Sequence, residues 1–218
     1  MKKLIIAFFM MATTSVAVAG GGGNISLDSA NIDLSDNASL QNGAKLYMNY
    51  CLGCHSLKFQ RYQRMADDIG LTYEEVQDNL MPGGGKIGDH ITNSLDQEAA
   101  AAWFGTAPPD LSVVSRSRGV DWLYTYLRSF VPDESRPFGV NNTVFKDVGM
   151  PHVMQDVQNN MTTEEFDSAM RDLTAFLSYV GEPVQLERKR IGVYVLIFLA
   201  FFTIMAYLMK KEYWKDVH

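Results

Sequence analysis

Polar and apolar positions alternate with helical spacing over much of the chain. In "LQNGAKLYMNYCLGCHSL" (Leu40–Leu57), residues Leu46, Tyr47, Tyr50 and Cys54 recur every three to four positions, which predicts a helix beginning near Leu40. A second helix is predicted from Thr72, with Glu74, Glu75 and Asp78 on its outer side. Shorter ones are predicted over Asp96–Phe104 and Val120–Phe130. The clearest signal starts at Thr162-Thr163-Glu164-Glu165, which has capping-box form. Behind it Phe166, Met170, Leu173, Phe176, Leu177 and Val180 share one face, and Gly181 and Pro183 end the helix. Turn chemistry separates these segments: "MPGGGKIGDH" (Met81–His90), "TAPPDLS" (Thr106–Ser112) and "VPDESRPFGVNNTVF" (Val131–Phe145). Asn31–Asp36 is polar and reads as a loose arm. Period-two alternation is weak and short, so the reading is a mainly α head with long loops.

Two unbroken apolar runs break this pattern. Lys2 and Lys3, an apolar stretch Leu4–Met11, and small residues up to Ala17-Val18-Ala19 follow the order of a secretory signal, with cleavage expected before Gly20. A retained anchor helix is the alternative. The second run, Ile191–Met209, holds nineteen residues without a charge, about 28 Å of helix against a hydrocarbon core of ~30 Å. Basic residues flank both of its ends, so they do not choose an orientation; the export signal does. The expected organisation is a signal peptide over residues 1–19, an exported periplasmic domain over 20–186, a transmembrane anchor over 187–209 and a cytoplasmic tail over 210–218, in a bacterial cell membrane. Residues 20–24 read as a flexible leader.

Charge adds a direction. The whole chain has 19 basic and 25 acidic residues. Residues 20–186 hold 11 basic against 22 acidic ones, a net −11. Such a head repels nucleic acid and attracts a basic protein partner at long range; solubility alone is the plainer account. Gly85-Lys86 is not a phosphate loop, because the spacing is wrong and Ile87 stands where Ser or Thr is required.

The chemistry centres on "YCLGCH" (Tyr50–His55), which contains the chain's two cysteines. A redox pair needs a thioredoxin-like βαβ context, and none is visible. A structural zinc site needs four ligands, and Cys51, Cys54 and His55 offer three. Attachment of one c-type haem fits best. A helical turn through the motif would set both sulfurs against one porphyrin edge and His55 beneath the ring. Long loops in a compact head agree with a large apolar group at its centre.

An electron carrier also needs a sixth ligand that stays in place, whereas a haem enzyme such as a peroxidase needs an open one. Thioether sulfur favours Fe(II). Met48, Met65, Met81, Met150, Met154, Met161 and Met170 are candidates. Met48 lies too near the motif and Met170 belongs to a helix core. Met150 sits in "DVGMPHV" after a long loop, with Gly149 permitting a tight backbone and Pro151 fixing the exit. Otherwise Met150 is ordinary core and His152 the ligand. Pro109 is either the carbonyl acceptor for the second ring nitrogen of His55 or a plain turn proline. "SRSR" supplies Arg116 and Arg118 as guanidinium forks for haem propionates, unless they are solvated surface charges.

The ordered set resembles the cytochrome c1 family, the haem subunits of cytochrome bc1 complexes (ubiquinol–cytochrome c reductases). It comprises an export signal, C-x-x-C-H, "PPDLS" followed by R-x-R, a distant methionine loop, "GEP" closing the head, and an "ERKR" stretch opening one C-terminal membrane helix. The resemblance spans nearly all of Leu40–Lys215. It implies an enlarged class I cytochrome c fold, with Cys51 and Cys54 as attachment residues, His55 and Met150 as iron ligands, and Arg118 as the propionate contact. It also implies electron transfer from a Rieske iron–sulfur protein to a soluble or membrane-tethered cytochrome c, beside a cytochrome b subunit in a dimeric complex. The sequence has "GMPHV" where many relatives carry further prolines, which bears on the shape of the loop. A freestanding membrane-tethered cytochrome serving a terminal oxidase is the alternative role.

Overall fold

The computed structural model describes residues 25–217. The signal expected over residues 1–19 and the leader over 20–24 lie outside the described residues.

Two long helices form the frame. Asp36 opens α1 (Asn37–Tyr50) by accepting hydrogen bonds from the N–H groups of Ala38 and Ser39. Near the other end of the head stands α8 (Thr163–Gly181), whose expected capping box between Thr162 and Glu165 is present. The predicted face of α8 is buried throughout. The two helices cross at Gly43, where a Cβ would lie 2.1 Å from the Asp172 carbonyl oxygen and 2.7 Å from the Phe176 Cβ. Only a residue without a side chain permits that approach. The rings of Tyr47 and Phe176 meet one turn further on at 5.8 Å. Asp172 accepts from Ser39 Oγ at 2.6 Å and Asn42 Nδ2 at 2.7 Å, which fixes the crossing at its polar edge.

The other elements wrap this pair. In chain order they are β1 (Leu57–Arg61), α2 (Tyr62–Ile69), α3 (Tyr73–Asn79), β2 (His90–Ile91), α4 (Gln97–Phe104), α5 (Val114–Arg118), α6 (Val120–Arg128), β3 (Phe130–Pro132), β4 (Val140–Asn142) and α7 (Gln155–Asn160). β1 runs antiparallel to β2 across a bulge between Leu57 and Arg61, and β3 pairs with β4 as a hairpin. α5 and α6 pack on α8.

The mainly α reading holds, with corrections in detail. α2, α5 and α7 are additional to the sequence reading; each is short, five to eight residues, so periodicity has little length in which to show. The β3–β4 hairpin lies largely in the Val131–Phe145 stretch, where the sequence shows turn residues and no strand pattern. The 31–36 arm is not loose at its root. Ala30 is fully buried, its N–H donates to Asp121 and its carbonyl accepts from Arg171, while Asp28 pairs with Arg128.

A last helix, α9 (Gln185–Tyr213), runs 29 residues, about 43 Å, with no buried residue and a mean hydropathy of 2.4 in its apolar window. It is long and apolar enough to cross a membrane, and it extends beyond the 187–209 span expected at both ends. Its first turn is tied to the head by Glu182, which accepts from Arg116 at 2.6 Å and from Arg188. These guanidiniums, Arg188 above all, hold the Glu182 carboxyl below its ordinary range.

Candidate cofactor site

A cavity of about 260 Å³ opens between the C-terminus of α1, helices α5 and α6, and the loop that follows β4. Its wall is almost wholly apolar. Cys51, Cys54, His55, Pro109, Arg118 and Met150, the residues singled out from the sequence, all line it.

One wall is built from consecutive residues. Tyr50 ends α1 and Cys51 caps it, so the motif lies in the turn after the helix rather than within it. That turn is closed by the N–H groups of Cys54 and His55, both donating to the Cys51 carbonyl at 3.1 and 2.8 Å. The Tyr47 hydroxyl donates to the His55 carbonyl and pins the turn to the core. His55 Nδ1 lies 2.7 Å from the Pro109 carbonyl oxygen. A carbonyl only accepts, so Nδ1 carries the proton and Nε2 keeps its lone pair. Burial lowers the His55 pKa, with the Pro109 hydrogen bond and Asp110 opposing, and the ring stays neutral. The "PPDLS" segment is itself sewn to the motif. Leu111 N–H donates to the Ser56 carbonyl, and the Asp110 carboxylate accepts from the N–H groups of Lys58 and Ser112. Pro109 is thus an acceptor as well as a turn residue.

The same wall separates the three readings of the cysteines. No disulfide joins them, and burial, with Cys54 nearby, pushes the Cys51 thiol up to about 12. A redox C-x-x-C requires the opposite shift. Among the described residues no group of three His, Cys, Asp or Glu side chains is arranged to hold a metal ion. Two cysteine side chains and an imidazole facing one apolar cavity match a large apolar group bound through carbon and iron.

The opposite wall comes from distant parts of the chain. Met150 lies 95 residues beyond His55 and is the cavity's sole methionine among the described residues. Gly149 fits because a Cβ there would press within 3.1 Å of the Phe104 carbonyl oxygen. Buried Asn142 organises the loop: its Nδ2 donates to the Tyr126 carbonyl, and its Oδ1 accepts from the N–H groups of Val144 and Phe145. Arg136 donates to the carbonyls of Asp147 and Val148. His152, the alternative ligand, faces elsewhere. Its ring stacks on Phe130 at 4.7 Å and its Nε2 lies 2.7 Å from Gln158 Oε1.

The two arginines of "SRSR" part company. Arg116 turns to Glu182. Arg118 stays at the cavity, over the rings of Trp122 and Phe145 at 5.2 and 5.6 Å. No carboxylate pairs with it among the described residues, so its donors remain available to an anionic group.

Trp122, Tyr126 and Asn142 escaped the sequence reading. Trp122 and Tyr126 lie four residues apart on α6, a helical spacing that reads equally well as core. Trp122 and Tyr126 stack at 5.0 Å, and the Tyr126 hydroxyl donates to Met150 Sδ at 3.3 Å. Burial raises the Tyr126 pKa to about 12, so at neutral pH the hydroxyl is a donor.

Comparison with known proteins adds an independent line. The profile of the family described as the Cytochrome C1 family matches residues 29–217. The chain is 49% identical to cytochrome c1 of Allochromatium vinosum over the full length of both. It is 42% identical to a protein of Nitrosomonas europaea called ammonia monooxygenase gamma subunit, covering 89% of this chain and 90% of that one. It is 31% identical to the mitochondrial cytochrome c1 haem protein of Saccharomyces cerevisiae, over 84% of this chain and 68% of the other.

Proposed function

The chain belongs to the cytochrome c1 family, and from that premise we propose that it is the membrane-anchored, single-haem subunit of a quinol-oxidising bc1 complex. In this reading it takes electrons one at a time from a Rieske iron–sulfur protein and passes them to a cytochrome c. The family implies a c-type haem and an electron-transfer role in that complex. The observation that carries the reading further is the cavity, with two thiols and an imidazole on one wall, a thioether on the other, and apolar side chains between them.

The residues present fit one covalently held haem. Cys51 and Cys54 would each add S–H across a vinyl group, forming C–S and C–H bonds, so no oxidant is consumed. His55 would bind iron through Nε2, oriented by the Pro109 carbonyl, and Met150 through its sulfur. Arg118 would meet a propionate. When bound, haem supplies a one-electron Fe(III)/Fe(II) couple. The protein's part is to hold both ligands in either state, exclude water and set the potential.

The acidic head is suited to steering a basic carrier, with an association rate that falls as salt rises. Helix α9 would anchor the head on the periplasmic face, with residues 210–218 in the cytoplasm, within a dimeric complex beside a cytochrome b subunit. Purification of the native membrane complex tests the assignment. The expected result is co-purification with a b-type cytochrome and an iron–sulfur protein, and reduction of this subunit by quinol. A subunit that purifies alone and is reduced without them would instead be the freestanding tethered carrier.

A further inference from the structure

Buried Ala30 joins two helices through its backbone. Its N–H donates to Asp121 Oδ1 of α6 at 2.9 Å, and its carbonyl accepts from Arg171 Nε of α8 at 3.0 Å. Two residues earlier the arm meets α6 again. The Asp28 N–H donates to Thr125 Oγ1 at 2.9 Å, and the Asp28 carboxylate accepts from Arg128 at 2.7 Å. Asp121, Thr125 and Arg128 lie four and three residues apart, so they form one edge of α6. Two residues of open chain span at most about 7 Å and four helical residues rise about 6 Å, so alternate N–H groups of the arm reach successive turns of the helix. Asn31, at φ 46°, then turns the chain away, its Oδ1 accepting from Ser29 Oγ at 3.1 Å.

The helices so joined share a wall of the cavity. Trp122, Leu123, Tyr126 and Leu127 of α6 line it, with Leu173 and Leu177 of α8. At the C-terminal end of α6 the two helices also meet directly, Arg128 donating to Asp167 through Nε and Nη2 at 2.5 and 2.7 Å. At the N-terminal end, beside Asp121, the tie runs through Ala30. We propose that residues 28–30 are a strap that holds α6 against α8 and keeps the cavity closed to water and small external ligands, with Asp121 as its positioning residue. This rests on the reading of the cavity as a haem site. Asp121 does not line the cavity, so it acts only through the arm and the helix that carries it.

The test uses the intact membrane complex with Asp121→Ala, Asp121→Asn and Thr72→Ala. The Asn side chain keeps an oxygen that accepts from the Ala30 N–H. Thr72→Ala removes the cap of α3, which packs on α2 away from the cavity, and controls for a general loss of stability. Two quantities are read: hydrogen exchange of the backbone over residues 120–128, and the rate at which added imidazole binds the oxidised iron. In Asp121→Ala both rise about tenfold, the worth of one hydrogen bond to a charged group. Asp121→Asn and Thr72→Ala leave both close to wild type. Unchanged exchange in Asp121→Ala, or an equal rise in either of the other variants, overturns the strap. Faster exchange with unchanged imidazole binding overturns its part in closing the cavity. A subunit that carries no haem, while its exchange follows the expected order, contradicts the haem-site reading and leaves the strap standing.

Discussion

The two walls of the cavity are made in opposite ways. The wall carrying Cys51, Cys54 and His55 is five residues of continuous chain, set by the end of α1 and a turn closed on the Cys51 carbonyl. The wall carrying Met150 arrives after a long loop and is held by side chains from α6 and the hairpin: Tyr126, Asn142 and Arg136. The first wall has its backbone on the long-helix crossing, where Gly43 and Tyr47 are buried. The second depends on a few polar contacts. Local sequence thus secures the wall of Cys51, Cys54 and His55, and tertiary contacts secure the wall of Met150.

The strongest way to break this contrast is at the attachment side. Replacing Cys51 and Cys54 together by Ser leaves no thiol to add to a vinyl group. Covalent haem in the subunit should fall to background on a denaturing gel stained for haem, against one haem per chain in the wild type. Met150→Leu strikes the other wall and should spare attachment. Full haem content is expected, with loss of the far-red band and a potential lower by roughly 100 mV or more, a fraction of the about 0.8 V that axial ligands span.

Two substitutions compare the walls on stability. Gly43→Ala sets a Cβ 2.1 Å from backbone and should cost about 3 kcal/mol in global stability, because the α1–α8 crossing cannot open without moving the core. Asn142→Ala should cost about 1–3 kcal/mol, concentrated in the loop. Thermal loss of the far-red band should then precede loss of helicity in Asn142→Ala, whereas the two transitions should coincide in Gly43→Ala. The smallest effect is expected at the brace to α9. The Glu182 carboxyl is held below its ordinary value of 4.5, so the brace persists above that pH and is lost as pH falls through the lower folded value. Cleavage by an acid-active protease between residues 182 and 188 should rise only below that point, and Glu182→Gln should remove the pH dependence.

The same contrast explains what was legible in the sequence. The five-residue motif, the capping box of α8 and the uncharged run in α9 are local patterns with known periods, so they could be read directly. Pro109 and Arg118 were narrower: each had a plain reading, and only the fold brings them to the cavity and turns Arg116 away. The Met150 loop was found through its glycine, its proline and a family resemblance, since nothing in its spacing points at iron. Tyr126 and Asn142 act across 24 residues and across a hairpin, and a tyrosine at helical spacing reads as core. Short elements such as α2 and α5 carry too few residues for periodicity to declare them.

The most direct test of a cavity closed by His55 on one side and Met150 on the other is the far-red absorbance of the oxidised subunit in its native complex. The band characteristic of sulfur on ferric iron should be present in the wild type and absent in Met150→Leu with haem still attached. A wild-type spectrum without that band, or a band that survives the substitution, would contradict the account.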